Sequence, residues 1–376
     1  MPKKVCCITP INTPNYGTVL QAFALQEAVK SLGCEYSVLN YYSREQELKF
    51  SFWGSTRYMN WKYRVAKKVL YPLRHYQLRR ILSFQNEYTN LSERYMTREA
   101  LEKCESRYDA FITGSDQVWN NQEINHFDDA YFLAFAGKKT KLSYAASFGK
   151  TYQMLEEKDK VFYQKQIKYI DKISVREKSG QEIVKRIANR ESQWVCDPVY
   201  LLSRTQWEHY SKTPKHKGYI LAYLVGDGIN FDVNRKIVSL AKKLAKEQKV
   251  KLVVIGIGLS SVLYGGIKTP TVPEWIGLIK NADLLLTNAF HGTAFATIFG
   301  TPFYTFVRGD SNNRMNTRIF DLLDYLGLDD RIVGFNTILN LQSIENAKIE
   351  TAWEKIENLK KDSYDFLKEA IGLITE

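Results

Sequence analysis

A chain of 376 residues is longer than one hydrophobic core usually supports, so two domains are expected. With 44% hydrophobic and 25% charged residues the composition is that of a globular protein, which excludes a disordered chain, and no run approaches the roughly 20 apolar residues that cross a bilayer. The net charge of +12 favours an anionic partner, whether nucleic acid, membrane surface or phosphorylated substrate, without choosing among them.

The first ten residues, MPKKVCCITP, contain an apolar run too short for a signal-peptide core, so they predict a β-strand and a cytoplasmic location. After them, short apolar and β-branched runs alternate with helical patterns. The strands predicted in this half are residues 5–8, 36–41, 110–113, 142–147, 173–176 and 194–196. The predicted helices are residues 19–32, 158–170 and 181–188.

Residues 48–86 break this pattern, because they contain no Asp or Glu and interleave Lys and Arg with Trp and Tyr. One interpretation is an insertion whose helices pack on the first domain. The other is peripheral contact with anionic lipid at the inner membrane face, where aromatic rings sit well and each nearby cation adds on the order of 1 kcal/mol. No recognisable nucleic-acid-binding module surrounds the segment, so no nucleic-acid partner is expected.

The second half repeats the alternation, with predicted strands at residues 219–224, 252–257, 284–287 and 303–306 and helices at 231–248 and 293–299. The polar, basic stretch 203–218 lacks periodicity and marks a junction between domains. The alternation predicts an α/β fold of two doubly wound domains with parallel sheets, residues 1–210 and 218–340. A last helix within residues 341–376 is long enough to reach back across the junction.

Ligands in an open α/β sheet bind beyond the carboxyl ends of the strands. Several predicted strands deliver polar side chains or glycines there. These candidates are Asn15, Tyr16, Gly17, Gln21, Asp116, Gln117, Trp119, Arg176, Asn288, His291, Gly292 and Thr293.

Among these candidates, His291 lies where a buried strand meets the predicted helix 293–299, whose free N–H groups would favour an anion. An imidazole there can exchange protons near neutral pH, although a structural histidine bonding a carbonyl is the alternative. Arg176 ends an apolar strand, and its planar fork suits a carboxylate or phosphate. The alternative for Arg176 is a salt bridge to Glu177 or another neighbour.

Asp116 is either a general acid or a helix cap, and Trp119 either stacks on a sugar or fills the core. The sequence has no GxxxxGK[ST] phosphate loop, no complete GxGxxG after a strand and no cluster with metal-ligand spacing. The chemistry is therefore expected to need neither a nucleotide-binding P-loop nor a bound metal, and no cofactor is expected.

Seven segments, in order along nearly the whole chain, together resemble the polysaccharide pyruvyl transferase family. They are NYGTVLQAFALQ, FITGSDQVWN, KLSYAASFG, ISVREKSG, CDPVYLL, EWIGLIKNADLLLTNAFHGTAFATIFGTPF and NTRI. The resemblance implies two Rossmann-like domains facing across a cleft in the GT-B architecture. It also implies transfer of the enolpyruvyl unit of phosphoenolpyruvate onto two sugar hydroxyls, which forms a cyclic ketal and releases phosphate.

The resemblance also implies roles for particular residues. His291 matches the family histidine in the donor pocket, and Arg176 matches a basic residue near the anionic groups of the donor. Asp116 and Gln117 match the first-domain motif that faces the cleft. The first domain is then the acceptor side, with Asn15, Tyr16, Gly17, Gln21 and Trp119, and the second the donor side, with Asn288, Gly292 and Thr293.

One position departs from the family pattern. Some members have arginine two residues before the histidine, and this chain has Ala289 there. Arg314 and Arg318 are the expected replacements for that donor-binding cation.

In the resulting hypothesis His291 transfers protons, Arg176 clamps the phosphate or carboxylate, and Asp116 orients or deprotonates the acceptor hydroxyl. The acceptor would be a surface or capsular polysaccharide or its lipid-linked oligosaccharide precursor. Two alternatives remain open at this point: a nucleotide-sugar glycosyltransferase on the same fold, and a non-catalytic, membrane-associated protein of polysaccharide assembly.

Overall fold

The structure of the protein is a computed structural model that describes residues 1–41, 61–122, 126–226, 231–256, 264, 269–307, 316–334 and 346–373. Two parallel β-sheets organise these residues, one from the first half of the chain and one from the second. The first part of the basic segment, residues 48–60, lies outside the described residues.

The first sheet has seven parallel strands in the order β3-β2-β1-β4-β5-β6-β7. The strands are β1 (Lys4–Ile8), β2 (Glu35–Tyr41), β3 (Leu91–Tyr95), β4 (Ala110–Thr113), β5 (Thr140–Ala146), β6 (Lys172–Val175) and β7 (Gln193–Trp194). Along β1, Val5 and Cys7 enter one hydrophobic cluster, whereas Cys6 and Ile8 enter another. Both faces of the sheet are covered, and for this reason the strand is continuously apolar.

Helices on the two faces of this sheet bury those clusters. They are α1 (Tyr16–Ser31), α2 (Trp61–Tyr88), α3 (Arg98–Glu102), α4 (Glu157–Ile167) and α5 (Lys178–Ala188), with 3-10 turns at Glu105–Arg107, Asp129–Phe132 and Tyr152–Met154. Helix α1 begins where the Asn15 side chain accepts a hydrogen bond from the Gly17 N–H. Residues 16–26 of this helix are all buried, because it lies between the first sheet and the second domain.

The second sheet has five parallel strands in the order β12-β11-β10-β8-β9. The strands are β8 (Tyr219–Leu224), β9 (Lys251–Gly256), β10 (Leu284–Thr287), β11 (Phe303–Phe306) and β12 (Ile332–Val333). The helices of this half are α6 (Arg204–His209), α7 (Phe231–Glu247), α8 (Val272–Lys280), α9 (Phe290–Phe299) and α10 (Thr317–Leu326), with 3-10 turns at Pro198–Tyr200 and Asp329–Arg331.

The two sheets share one hydrophobic cluster, because α1 and α2 pack against the second domain. Tyr16 stacks on Trp275 with ring centroids 5.2 Å apart, and its hydroxyl donates to the Pro270 carbonyl at 2.7 Å. On α2, the Arg80 guanidinium pairs with the Glu274 carboxylate at 2.7 Å. The two halves are therefore joined by buried packing as well as by the chain.

The last helix, α11 (Asn346–Ala370), runs back to the first sheet. Its Ser363 hydroxyl accepts a hydrogen bond from the Cys196 N–H at 3.0 Å, and Lys3 donates to the Ile371 carbonyl just beyond its end at 2.8 Å. Among the helices in the described ranges, none combines the length and the apolar character needed to cross a bilayer.

Each predicted strand is present, with its ends displaced by two residues at most. The sequence did not predict β3 and β12, which are edge strands. An edge strand pairs on one side only and needs little apolar surface, so LSERY and a two-residue strand give no hydrophobic signal. The 203–218 stretch contains α6, which starts with a capping box between Ser203 and Gln206.

The interdomain packing makes a testable prediction about Trp275, which is fully buried against Tyr16. We expect Trp275→Ala to lower the free energy of unfolding by about 3–5 kcal/mol, because the cavity lies where both domains meet. Chemical denaturation followed by circular dichroism measures the change. Tyr169→Ala, at an exposed aromatic residue, is the control and should stay within about 0.5 kcal/mol of the wild type. A loss below about 1 kcal/mol for Trp275→Ala would contradict the shared core.

Candidate active site

Charged side chains from both domains meet beyond the carboxyl ends of the two sheets. Asp116 follows β4, Arg176 follows β6, and Asp197 follows β7 in the first domain. His291 lies in the first turn of α9 and Arg318 in the first turn of α10, both in the second domain. Parallel strands bring these residues to one edge, and the packing of the domains then closes the edge around them.

Asp197 is the buried centre of the cluster, with a side chain that is 0% exposed. Its Oδ2 accepts a hydrogen bond from Arg176 at 2.5 Å and lies 3.6 Å from Nε2 of His291. Its Oδ1 accepts from the Val199 N–H and caps the turn Pro198–Tyr200. Burial raises the pKa of Asp197, but the His291 and Arg176 charges outweigh burial and hold the pKa below its usual range. The carboxylate is therefore ionised and links the domains.

Arg176 lies in a buried ion-pair network. One arm bonds Asp197, and the other lies 3.3 Å from Oδ1 of Asp116. Burial alone would lower the pKa of Arg176, but the two carboxylates raise it. The salt-bridge alternative is confirmed, with Asp197 and Asp116 as the neighbours that pair with Arg176. Glu177 Oε1 accepts from Ser147 Oγ and from the N–H groups of residues 148 and 149. Nε of Arg176 has no hydrogen-bond partner among the described residues.

A second arginine joins this network from the other domain. The Arg318 guanidinium lies 4.0 Å from Oδ1 of Asp116, and its Cζ is 5.8 Å from the centroid of the Phe290 ring. The Cζ of Arg176 is 4.7 Å from the same ring. Burial and the nearby Arg176 charge lower the pKa of Arg318 to about 10. Arg318 therefore belongs to this cluster, and its role as the replacement for the cation missing at Ala289 stays a prediction. Arg314 lies outside the described residues.

Asp116 accepts a hydrogen bond from the Thr18 hydroxyl at 2.9 Å and has a left-handed backbone, with φ of 66°. Burial raises the pKa of Asp116, but Arg176, His291 and Arg318 together hold it below its usual range. A lowered pKa disfavours the protonated form, so the arginine contacts favour a carboxylate that accepts a proton over a general acid. The helix-cap alternative is wrong, because the carboxylate pairs with arginines instead of with backbone N–H groups at a helix start.

His291 is 7% exposed and belongs to α9, which begins at Phe290 and not at residue 293 as predicted. One edge of its ring faces Asp197, and Nε2 has no hydrogen-bond partner within the described part of the chain. The other edge lies against Gly17, where a Cβ would be only 1.9 Å from Nδ1. Gly17 is therefore needed for close approach of the imidazole to α1, and not for contact with a ligand.

Three residues expected to contact the acceptor are instead part of the interior. Trp119 stacks on Phe132 with centroids 5.2 Å apart and is 0% exposed, so it cannot stack on a sugar. Tyr16 is buried against the second domain. The Gln21 amide donates to the Thr9 hydroxyl and the Thr18 carbonyl and accepts from the Ser115 N–H. Only Asn15 and Gln117, from the expected acceptor set, are partly exposed.

The smaller residues expected on the donor side hold α9 on its sheet. The Asn288 side chain hydrogen-bonds the N–H and the carbonyl of Val225. The Thr293 hydroxyl donates to the Ala289 carbonyl and lies 2.7 Å from the Thr305 hydroxyl. A Cβ at Gly292 would lie 2.8 Å from the Thr287 hydroxyl. The contacts described here are made within the second domain, and a donor-binding role for Asn288, Gly292 and Thr293 stays a prediction.

The sequence analysis gave no role to Asp197 or Phe290. The available signal for Asp197 was its position directly after the strand at 194–196, inside CDPVYLL. Phe290 follows the predicted strand 284–287 and precedes the predicted helix 293–299, and its apolar side chain signalled no role in binding a charge. Its contacts with Arg176, Arg318 and His291 depend on the docking of the domains.

The arrangement suits anion recognition coupled to proton transfer. The guanidinium groups of Arg176 and Arg318 both lie near the Phe290 ring and the Asp116 carboxylate. The imidazole of His291 lies 3.6 Å from the Asp197 carboxylate. Within the described ranges, no group of three or more His, Cys, Asp or Glu side chains is placed to hold a metal ion.

Solved structures with a similar chain path define the fold class. MnaA from S. aureus, in a structure with UDP, is 12% identical, with 100% of this chain and 98% of that chain covered and a TM-score of 0.51. UDP-GlcNAc 2-epimerase from Methanocaldococcus jannaschii is 12% identical, over 95% and 92% of the two chains, with a TM-score of 0.49. ADP-heptose lps heptosyltransferase II from E. coli is 11% identical, over 96% and 99%, with a TM-score of 0.40.

Such low identities show the fold alone. The likeness to MnaA and the sheet topology confirm the expected α/β class, with parallel sheets in two Rossmann-like domains of GT-B type.

The family profile for polysaccharide pyruvyl transferase matches residues 15–311, a range that includes Asp116, Arg176, Asp197 and His291. The chain therefore belongs to the polysaccharide pyruvyl transferase family, as the resemblance of its motifs predicted, and the family is one of transferases. No curated protein matches the sequence.

The ion pairs of Asp197 predict a pH-dependent stability. A group whose pKa is lower in the folded state stabilises the fold above its unfolded-state pKa, about 3.9 for Asp, and this contribution is lost as pH falls through the folded pKa. We expect Asp197→Asn to cost about 3–5 kcal/mol of unfolding free energy at pH 7, because Arg176 loses its closest partner in a buried site.

The difference in unfolding free energy between the wild type and Asp197→Asn should then become smaller as pH falls below about 4. Denaturant titrations at several pH values measure it. The matched control is Asp365→Asn, at an exposed ion pair on α11, for which the change should stay within about 0.5 kcal/mol. A difference for Asp197→Asn that stays constant with pH would argue against the lowered pKa.

Proposed function

We propose that the protein transfers the enolpyruvyl group of phosphoenolpyruvate onto two hydroxyls of a sugar, forming a cyclic ketal and releasing phosphate. The observation that carries the proposal is the pair of guanidinium groups, Arg176 and Arg318, beside the same ring and carboxylate. They come from different domains, and the ring that they share, Phe290, also contacts the imidazole of His291. Membership of the polysaccharide pyruvyl transferase family supports the same reaction.

The donor suits this pair of cations. Phosphoenolpyruvate carries a carboxylate and a phosphate on three carbon atoms, so it presents two anionic groups within a short distance. Two buried arginines that repel each other are stabilised by such a ligand, and the lowered pKa of Arg318 reflects that repulsion together with burial. Lysine would be a poorer choice at either position, because only the planar guanidinium of arginine can bond two oxygens of a carboxylate or phosphate at once.

The proposed chemistry needs proton transfers that His291 is placed to make. Protonation of the methylene carbon makes the adjacent carbon electrophilic, a sugar hydroxyl attacks it, phosphate leaves, and a second hydroxyl closes the ketal. His291 exchanges the protons, and the Asp197 carboxylate lies 3.6 Å from its Nε2. Arg176 and Arg318 stabilise the charge that develops on the leaving phosphate.

The acceptor that best fits the family is a sugar of a surface or capsular polysaccharide or of its lipid-linked precursor. The basic, aromatic segment at 48–86 supports a lipid-linked acceptor, since it would hold the enzyme at an anionic membrane face. In the described end of this segment, His75, Tyr76 and Arg79 are exposed on α2. Lipid contact at this surface is part of the proposal.

Three substitutions test the roles of the site residues. We expect His291→Ala to lower kcat for phosphate release on the order of 10²–10⁴-fold, because the proton-transfer group is lost. Arg176→Lys and Arg318→Lys should raise KM for phosphoenolpyruvate about tenfold, since a point charge replaces a planar fork. Phosphate release is measured with phosphoenolpyruvate and a panel of galactosides and mannosides.

Arg204→Lys is the matched control, since Arg204 lies exposed on α6 away from the site. Near wild-type turnover by His291→Ala would contradict the role of the imidazole. If the wild type releases no phosphate with any acceptor, a non-catalytic role in polysaccharide assembly is favoured. If the product mass shows an added hexose from a nucleotide sugar, the protein is a glycosyltransferase.

Membrane contact makes a separate prediction. We expect binding to phosphatidylglycerol vesicles that weakens as salt is raised, because the Debye length falls to about 10 Å at 0.1 M. Reversing two charges with Lys67→Glu and Lys68→Glu should reduce binding, and vesicle sedimentation measures it. The control pair is Lys165→Glu and Lys168→Glu, at exposed positions near the end of α4. Equal losses for both pairs would point to total charge instead of the basic segment.

A further inference from the structure

The carboxylate of Asp116 occupies the position between the two arginines. Its Oδ1 lies 3.3 Å from Arg176 and 4.0 Å from Arg318, so one oxygen faces both guanidinium groups. A donor with two anionic groups needs those same N–H groups. The protein's own carboxylate and the proposed donor therefore compete for one position.

The two carboxylates that contact Arg176 differ in how firmly they are held. Asp197 has a side chain that is 0% exposed, bonds Arg176 at 2.5 Å and is anchored by the Val199 N–H. The Asp116 side chain is 11% exposed, and its distances to the arginines are longer. Its other oxygen is held by the Thr18 hydroxyl at 2.9 Å. Asp197 is thus the more firmly held of the two, and Asp116 has a partner, Thr18, in addition to the arginines.

We propose that Asp116 is a placeholder for an anionic group of the donor, and that donor binding displaces it from Arg176 and Arg318 toward the acceptor. This inference rests on the proposed function. Once the donor neutralises the arginines, the carboxylate loses the charges that make it a weak base. It can then accept a proton from the incoming sugar hydroxyl, and Thr18 keeps it in reach. Donor binding would in this way precede and enable activation of the acceptor.

The backbone at Asp116 decides which substitutions are informative. Its φ of 66° lies in the left-handed region, which Asn and Gly adopt more readily than other residues. Asp116→Asn keeps the shape and removes the charge, and Asp116→Gly removes the side chain. Both variants therefore suit the backbone at this position. Asp197→Asn serves as the comparison, because Asp197 is the more firmly held of the two carboxylates.

The test is calorimetric titration of the full-length protein with phosphoenolpyruvate. A placeholder that fills the position nine-tenths of the time weakens donor binding about tenfold, so Asp116→Asn and Asp116→Gly should bind about tenfold more tightly than the wild type. Their transfer of pyruvate to the acceptor panel should nevertheless fall on the order of 10²-fold. Asp197→Asn should bind the donor more weakly, because Arg176 loses its support.

Equal or weaker donor binding by both Asp116 variants, with a wild type that binds, would overturn the placeholder and leave the proposed function intact. Tighter binding with undiminished transfer would overturn the second part, in which the freed carboxylate acts on the acceptor. If neither the wild type nor the variants bind phosphoenolpyruvate, the proposed donor is wrong, and the placeholder falls with it.

Discussion

The ionised carboxylate of Asp197 is the constraint on which the site depends. A charge in a dry interior must be paired, and its partners Arg176 and His291 come from different domains. Docking of the domains therefore completes the coordination of Asp197, and the same docking forms the shared hydrophobic cluster. Ion pairing and apolar packing favour one relative position of the two halves, so Arg176, Asp197 and His291 are held next to one another before any ligand arrives.

The first turn of helix α1 contacts groups of the site from both domains. The segment NYGTVLQ contributes to the site by packing: Asn15 starts the helix, Tyr16 fixes it to the second domain, and Gly17 leaves room for the imidazole of His291. Thr18, one residue further, holds Asp116. A single turn of helix thus aligns groups from both domains. Because these contacts are made by small or buried side chains, their loss would disturb the chemistry without removing any reacting group.

The charge of the site differs from the charge of the molecule. The chain carries +12 overall, yet in the site Arg176 and Arg318 face Asp116 and Asp197. In the proposed function, such a balanced site would bind an anion by exchange of ion-pair partners, and not through a large excess of positive charge. The Phe290 ring lies beside both guanidinium groups and adds a cation–π contact to each.

The sequence by itself determined the α/β class, most strand positions, and the family, because hydrophobic periodicity and ordered motifs are local properties. It also singled out His291, Arg176, Asp116 and Arg318. Only the tertiary structure decided that Asp197 lies at their centre and that Trp119, Tyr16 and Gln21 belong to the interior. The physical reason is that a polar or aromatic side chain after a strand looks the same in sequence whether it faces a ligand or a neighbouring domain. Its partner is fixed by long-range docking, which no local pattern contains.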